Sequence, residues 1–249
     1  MKKKHLILSV MIAVLLSVSP MAFAVEFGPN SAKITNPYFG PVKVGSWSFE
    51  KGVGPNWSGR LTYSHVFGKD VVSGAKIGSE VFNDVKCLKM HITIIDNVGN
   101  VGEHHLMEFS MAQDTEGNVW ILKVYNHQTD SAIILGATQQ PNGEPWFKSM
   151  LMPTTPAVGL PAGIIIPETD DSDCEIVEVG ISTLVTAFGT YQDCIKAHCN
   201  YAPNYEVGYY CWGAGLVRSS RVNTPDDVID RKGQGTATTI KAVVIPLGD

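Results

Sequence analysis

The chain has 249 residues, of which 44% are hydrophobic and 17% charged, against about 25% charged in an average soluble domain. That balance excludes intrinsic disorder as the main state. A formal charge of −5 argues against the basic face that nucleic-acid binding requires. Few charges, 24 glycines, 14 prolines and five cysteines suit a β-rich globular protein.

Lys2, Lys3 and Lys4 form a positive n-region, and residues 6–18 (LILSVMIAVLLSV) form an apolar h-region of 13 residues. Pro20 breaks it, and Ala22 and Ala24 supply the small residues of a cleavage site. This pattern predicts a secretory signal peptide over residues 1–24, followed by one β-rich domain over 25–249. The apolar run is shorter than the ~20 residues that span a bilayer. Later apolar runs are strand-sized, so no stable membrane insertion is expected. Cleavage removes three lysines and no acids, which moves the formal charge from −5 to −8. The expected location is the periplasm or the extracellular medium.

No stretch has a helical period. Short runs alternate apolar and polar residues and end in Gly, Pro, Asn or Asp, which predicts an all-β fold: a mainly antiparallel curved sheet or open barrel. Strands are expected at 46–49, 60–67, 85–95, 103–113 and 118–126. In 85–95, Lys86, Leu88, Met90, Ile92 and Ile94 form the mainly apolar face and should point to the core. Turns at 96–100 (DNVGN) and 114–118 (DTEGN) carry residues that tolerate positive φ and join the last three strands into a meander. Residues 136–174 hold six prolines and read as an irregular connection with edge strands at 146–151 and 163–166. Strands resume at 175–185, 190–199, 206–212, 215–221 and 236–245, and the polar stretch 222–235 (VNTPDDVIDRKGQG) reads as an exposed loop.

The cysteines are Cys87, Cys174, Cys194, Cys199 and Cys211. Cys194 and Cys199 lie on opposite faces of one strand and cannot bond each other well. If the strands flanking 201–205 pair as a hairpin, Cys211 comes near Cys194 or Cys199. A Cys194–Cys211 disulfide is the preferred pairing, with Cys174 or Cys87 open to Cys199 and one thiol left over. Asp193, Cys194, His198, Cys199 and Cys211 also form a zinc-type donor set. The spacing lacks a C-x2-C knuckle, however, and exported cysteines oxidise, so no metal is expected. A nucleophilic Cys194 with His198 is disfavoured by the same strand geometry.

His91 and His105 are on strands joined by the 96–100 turn and could be cross-strand neighbours; with Glu103 they would offer a zinc or copper site. Exposed residues on a solvent face are the plainer reading. Glu103, Glu108, Asp114 and Glu116 supply carboxylates without a discernible catalytic pair. No nucleophile elbow, HExxH, P-loop or dinucleotide fingerprint is present, so no catalytic residue and no cofactor is expected. Gly213-Ala214-Gly215 reads as a bulge or turn, and Asn56-Trp57-Ser58 as a sequon without meaning in a bacterial export. Trp47, Phe49, Trp57, Tyr63, Trp120, Trp146, Tyr209 and Trp212 could line an apolar pocket, although core packing is the plainer reading.

Three stretches together resemble a group of exported bacterial β-proteins and lipoproteins of unknown function. Asn36-Pro37-Tyr38-Phe39 with 44–50 (VGSWSFE) is similar to an NPYFPLxPGTTWVYEG opening, with Gly40 replacing the second proline. Residues 112–120 (AQDTEGNVW) are similar to a YAQDxxGNVWYLGE hairpin. Residues 189–194 (GTYQDC) with 209–217 (YYCWGAGLV) are similar to GxYxDCLxVxE and YYAPGVGLV. The resemblance spans most of 36–221 and implies an exported β-fold with no catalytic residue to carry over. Cys199 and Cys211 depart from the group's pattern, as does the absence of a lipidation cysteine.

The expected function is that of an exported, non-catalytic β-protein that binds a small apolar or amphiphilic ligand or a cell-envelope partner. The alternative is an exported hydrolase or metal-dependent enzyme.

Overall fold

The computed structural model describes residues 25–40, 42–53, 60–96, 102–127, 129–136, 151–162, 173–201, 204–221 and 224–236. Among these there is no helix. The strands are β1 (Ser46–Val53), β2 (Arg60–Val72), β3 (Ala75–Ile77), β4 (Glu80–Phe82), β5 (Val85–Asp96), β6 (Gly102–Gln113), β7 (Val119–Asn126), β8 (Ser131–Ile134), β9 (Asp173–Thr186), β10 (Gly189–Tyr201), β11 (Asn204–Cys211), β12 (Gly215–Arg221) and β13 (Thr224–Thr236). Eleven form one antiparallel sheet in the order β8-β7-β6-β5-β2-β1-β13-β12-β11-β10-β9, and β3–β4 is a separate hairpin. The chain runs outward from β1 to the edge strand β8. It then crosses to the opposite edge at β9 and runs inward until β13 pairs with β1. The fold is all-β, and the sheet is curved without closing into a barrel.

Contacts that skip strands reveal the curvature. Asp230 of β13 accepts a hydrogen bond from the Ala187 N–H in the β9–β10 turn at 2.7 Å, although β11 and β12 separate them in sheet order. At the other end, the Lys76 N–H of β3 donates to the Leu135 carbonyl beyond β8 at 2.7 Å. The core lies against this curled end. Phe109, Met111, Ala112, Val119, Leu122 and Val124 of β6 and β7 are at most 1% exposed, and Ile176, Ile195 and Ala197 of β9 and β10 join the same cluster.

Four expectations change. Residues 224–235, read as a loop, belong to β13, which pairs with β1 on one side and β12 on the other. Its polar side chains misled the reading. The ladders of β1 and β12 both engage residues 228–230, and buried Asp230 is matched by Arg218 at 2.7 and 2.9 Å. Pro225 sits where the β12–β13 register shifts, a position at which a missing N–H is tolerated. Strand β2 continues five residues past Phe67 to Val72. The face assignment in β5 holds at Leu88 and Met90 but fails at its start, where Val85 and Cys87 are buried and Lys86 is exposed. Val85 and Cys87 share the apolar cluster with Val72 and Ala75. The short strands β3, β4 and β8 were not expected. The expected turn at 96–100 beyond Asp96, most of the edge strand at 146–151 and all of that at 163–166, the last strand beyond 236, and Asn56-Trp57-Ser58 lie outside the described residues.

Candidate functional site

The five cysteines resolve into two disulfides and one buried thiol. Cys194 bonds Cys211 across β10–β11, and Cys199 bonds Cys174 across β9–β10; each pair is directly opposite in register with 4.0 Å between Cα atoms. Cys194 and Cys199 lie on opposite faces of β10, and each meets the cysteine that its register sets opposite it, on β11 and β9 respectively. No thiolate remains there for a metal or a nucleophilic mechanism. Asp193 has φ of +48°, and its Oδ1 accepts the Tyr38 hydroxyl at 3.1 Å. His198 is half-buried, opposite Val207 and Glu175.

The histidine expectation also changes. A register shift between Ile92 and Thr93 sets His91 opposite Glu108 and His105 opposite Thr93, so the two histidines are not cross-strand partners. The His91 ring instead lies 5.4 Å from that of His127. Glu108 receives Lys89 at 2.8 Å and His127 at 3.1 Å. Burial pushes its pKa up, but these two partners outweigh that and hold it below the ordinary carboxylate value. Among the described residues no three His, Cys, Asp or Glu side chains form a metal-holding group.

Concave surface occurs elsewhere. A groove of about 730 Å³ lies between the N-terminal segment and the ends of β2 and β5, within the ~300–1,000 Å³ range of small-molecule sites. Its floor follows from strand alternation. Lys69 of β2 is opposite Leu88 of β5, and Val71 is opposite Lys86, so these four side chains share one face. Asp70 and Cys87, the intervening pair, turn the other way. Asp70 there accepts the Ser110 hydroxyl at 2.8 Å and the Lys123 ammonium at 3.1 Å. Burial raises its pKa, but these hydrogen bonds, with one from the Val71 N–H, leave it lowered overall.

Two arms of the N-terminal segment wall the groove. Pro29, Asn30, Ala32 and Lys33 form one; Val42, Lys43 and Val44 form the other. A bridge between Ile34 and Val42 folds the arms back on each other. The first arm is fixed by the Ser31 hydroxyl, which donates to the Lys86 carbonyl at 2.7 Å, and by the Gln113 N–H, which donates to the Ser31 carbonyl at 2.8 Å. The second is fixed by the Gly45 N–H to the Val66 carbonyl and by the Ser46 hydroxyl to the Lys43 carbonyl.

Between the arms, residues 35–40 anchor both halves of the sheet. Buried Asn36 donates from Nδ2 to the carbonyls of Gly117 and Pro153, both at 3.1 Å, and its Oδ1 accepts the N–H groups of Tyr38 and Phe39. Gly117 belongs to the 114–118 turn. There the Asp114 carboxylate accepts the N–H groups of Glu116 and Asn118, the Asn118 amide and the Trp120 indole N–H. Tyr38 meets Trp212 edge-on with ring centroids 5.5 Å apart, and the Gly213 N–H donates to the Pro37 carbonyl. Gly215 has φ of +77°, and a Cβ there would stand 2.4 Å from the Phe39 carbonyl oxygen, so no side chain fits. The three motif-bearing stretches of the sequence thus meet at one structural joint.

The groove is apolar and cationic together. Val44 and Val71 are 46% and 58% exposed on it, and Lys33, Lys43, Lys69 and Lys86 rim it. None of the four lysines has an acidic partner among the described residues. Of the aromatics considered as a pocket lining, Trp120 is locked in the core by Asp114 and Trp212 is exposed against Tyr38, while Trp57 and Trp146 lie outside the described residues. Sequence reading missed the lysines because they are scattered over 54 positions. Only the Lys-x-Val and Lys-x-Leu spacings at 69–71 and 86–88 signal a shared face.

No protein-family model matches the chain, and no curated protein sequence does. Two solved structures are similar to it at the level of the backbone. One is a candidate exported protein with a YmcC-like fold from Bacteroides fragilis, at a TM-score of 0.42 and 12% identity over 80% of this chain and 100% of that one. The other is a candidate lipoprotein from Parabacteroides distasonis, at a TM-score of 0.40 and 12% identity over 81% of this chain and 100% of that one.

Proposed function

We propose that this is an exported, non-catalytic β-protein that holds an apolar or amphiphilic small molecule in the groove between its N-terminal segment and strands β2 and β5. The observation that carries the reading is a concavity of ligand size in which Val44 and Val71 stay open to solvent while the segment around them is tied down by hydrogen bonds. Apolar side chains held exposed in a preformed hollow gain about 25 cal/mol for each Å² that a ligand covers. Export is supported by the n-region, h-region and small-residue pattern of residues 1–24. It is supported as well by two disulfides, which persist in oxidising compartments such as a periplasm or the extracellular medium.

The test is titration of the purified protein with the neutral apolar aromatic fluorophore N-phenyl-1-naphthylamine. Saturable binding is expected, weakened roughly tenfold by the double variant Val44→Ser, Val71→Ser, which removes exposed apolar area. Absence of saturable binding, or binding equal in the variant, contradicts the reading.

A further inference from the structure

We infer that the groove's ligand is an anionic amphiphile: a single alkyl chain along Val42, Val44, Val71 and Leu88 with a phosphate- or carboxylate-bearing head among Lys33, Lys43, Lys69 and Lys86. The inference rests on the groove reading above and adds the chemistry of the polar part. Four of the chain's 19 Lys and Arg residues converge on one hollow of a molecule whose formal charge is −5. The lysines come from four separate places: both arms of the N-terminal segment, β2 and β5. Neighbouring residues on one strand therefore do not explain their meeting. Elsewhere in the molecule, Lys89, Lys123 and Arg218 are each paired with Glu108, Asp70 and Asp230 respectively. The groove lysines are left without such partners among the described residues, and the nearest strand acid, Asp70 between Lys69 and Val71, turns its carboxylate to the other face and is committed to Lys123. A hollow with low-dielectric walls and one sign of charge focuses its field and raises the local concentration of anions. Val42, Val44, Val71 and Leu88 lie among the lysines, so a bare inorganic anion would leave the apolar surface uncovered, and a neutral lipid would leave the ammonium groups unanswered.

The experiment compares dodecyl phosphate, dodecylphosphocholine and inorganic phosphate by calorimetric titration of the mature protein, below micelle-forming concentrations. Dodecyl phosphate is expected to bind roughly tenfold tighter than dodecylphosphocholine, which carries the same chain on a head of no net charge. Raising salt from about 0.05 M to about 0.5 M should close most of that gap, because exposed charges are screened. The double variant Lys69→Gln, Lys86→Gln keeps much of the side-chain stem and should erase the preference, bringing dodecyl phosphate down to the affinity the same variant has for dodecylphosphocholine. Lys33→Gln with Lys43→Gln, on the walls rather than the strands, repeats the test should the first pair disturb β2–β5. Equal affinity for the two amphiphiles overturns the anionic head while the groove reading stands. Binding of neither overturns both. Displacement of dodecyl phosphate by inorganic phosphate at equal concentration overturns the amphiphile in favour of a free-anion site.

Discussion

Single residues decide how the groove is held and which groups are inert. Cys87 sits directly beneath the groove floor, opposite Asp70, fully buried. Burial and, secondarily, the Asp70 charge push its thiol from an ordinary 9.0 up to about 12. The folded state therefore keeps the thiol neutral while the unfolded chain ionises first. The stability from this group is fully present below pH 9.0 and is lost as pH rises from there towards 12. Iodoacetamide labelling followed by mass measurement checks the assignment. Native protein at about pH 8 should take no label; denatured, unreduced protein should take one; reduced and denatured protein should take five. A label on the native protein, or more than one before reduction, contradicts it. At this scale the sequence was legible where partners are local. Asp114, Gly117 and Asn118 announce a turn because their hydrogen bonds stay within a few positions. Asn36 gave no sign of its role, since its partners are 81 and 117 residues away.

Among the elements, β13 shows why polarity is an incomplete guide to strands. A central strand obtains its backbone hydrogen bonds from both neighbours whatever its side chains, and one buried carboxylate is tolerable when fully answered. Asp230 receives the Arg218 guanidinium through two bonds and the Ala187 N–H through a third. Asp230→Asn should therefore destabilise the fold by about 2 kcal/mol, because the charge matching half-buried Arg218 is lost while the shape is kept. Urea unfolding measures this, and an unchanged midpoint would contradict the role given to the pair. Strand existence was readable from alternation in β2, β5, β7 and β9 to β12. Strand ends were not: β2 runs through Gly68 and Lys69 to Val72, and that continuation is what carries two groove residues. The disulfides follow the same logic. Hairpin pairing made Cys194–Cys211 the preferred bond. Cys199 had two candidate partners until the register set Cys174 opposite it. Loops of 17 and 25 residues closed this way contribute roughly 3 kcal/mol each in the chain-entropy account.

For the whole molecule, one strap matters most. Residues 35–40 touch the 114–118 turn, residue 153 and the 211–215 joint, linking the two halves of a curled sheet that does not close on itself. The same strap positions the arms that wall the groove, so the structural joint and the candidate site are parts of one assembly. None of this follows from periodicity, because curvature and the meeting of four distant segments are set by long-range packing. The most direct test of the groove as a ligand site is native mass spectrometry of the protein isolated from its own source without detergent. A population heavier than the bare chain by the mass of one acidic amphiphile is expected, and a clearly smaller such population in the Val44→Ser, Val71→Ser protein prepared in the same way. A bare mass for the unaltered protein, or an adduct of undiminished abundance in the variant, would contradict the ligand site.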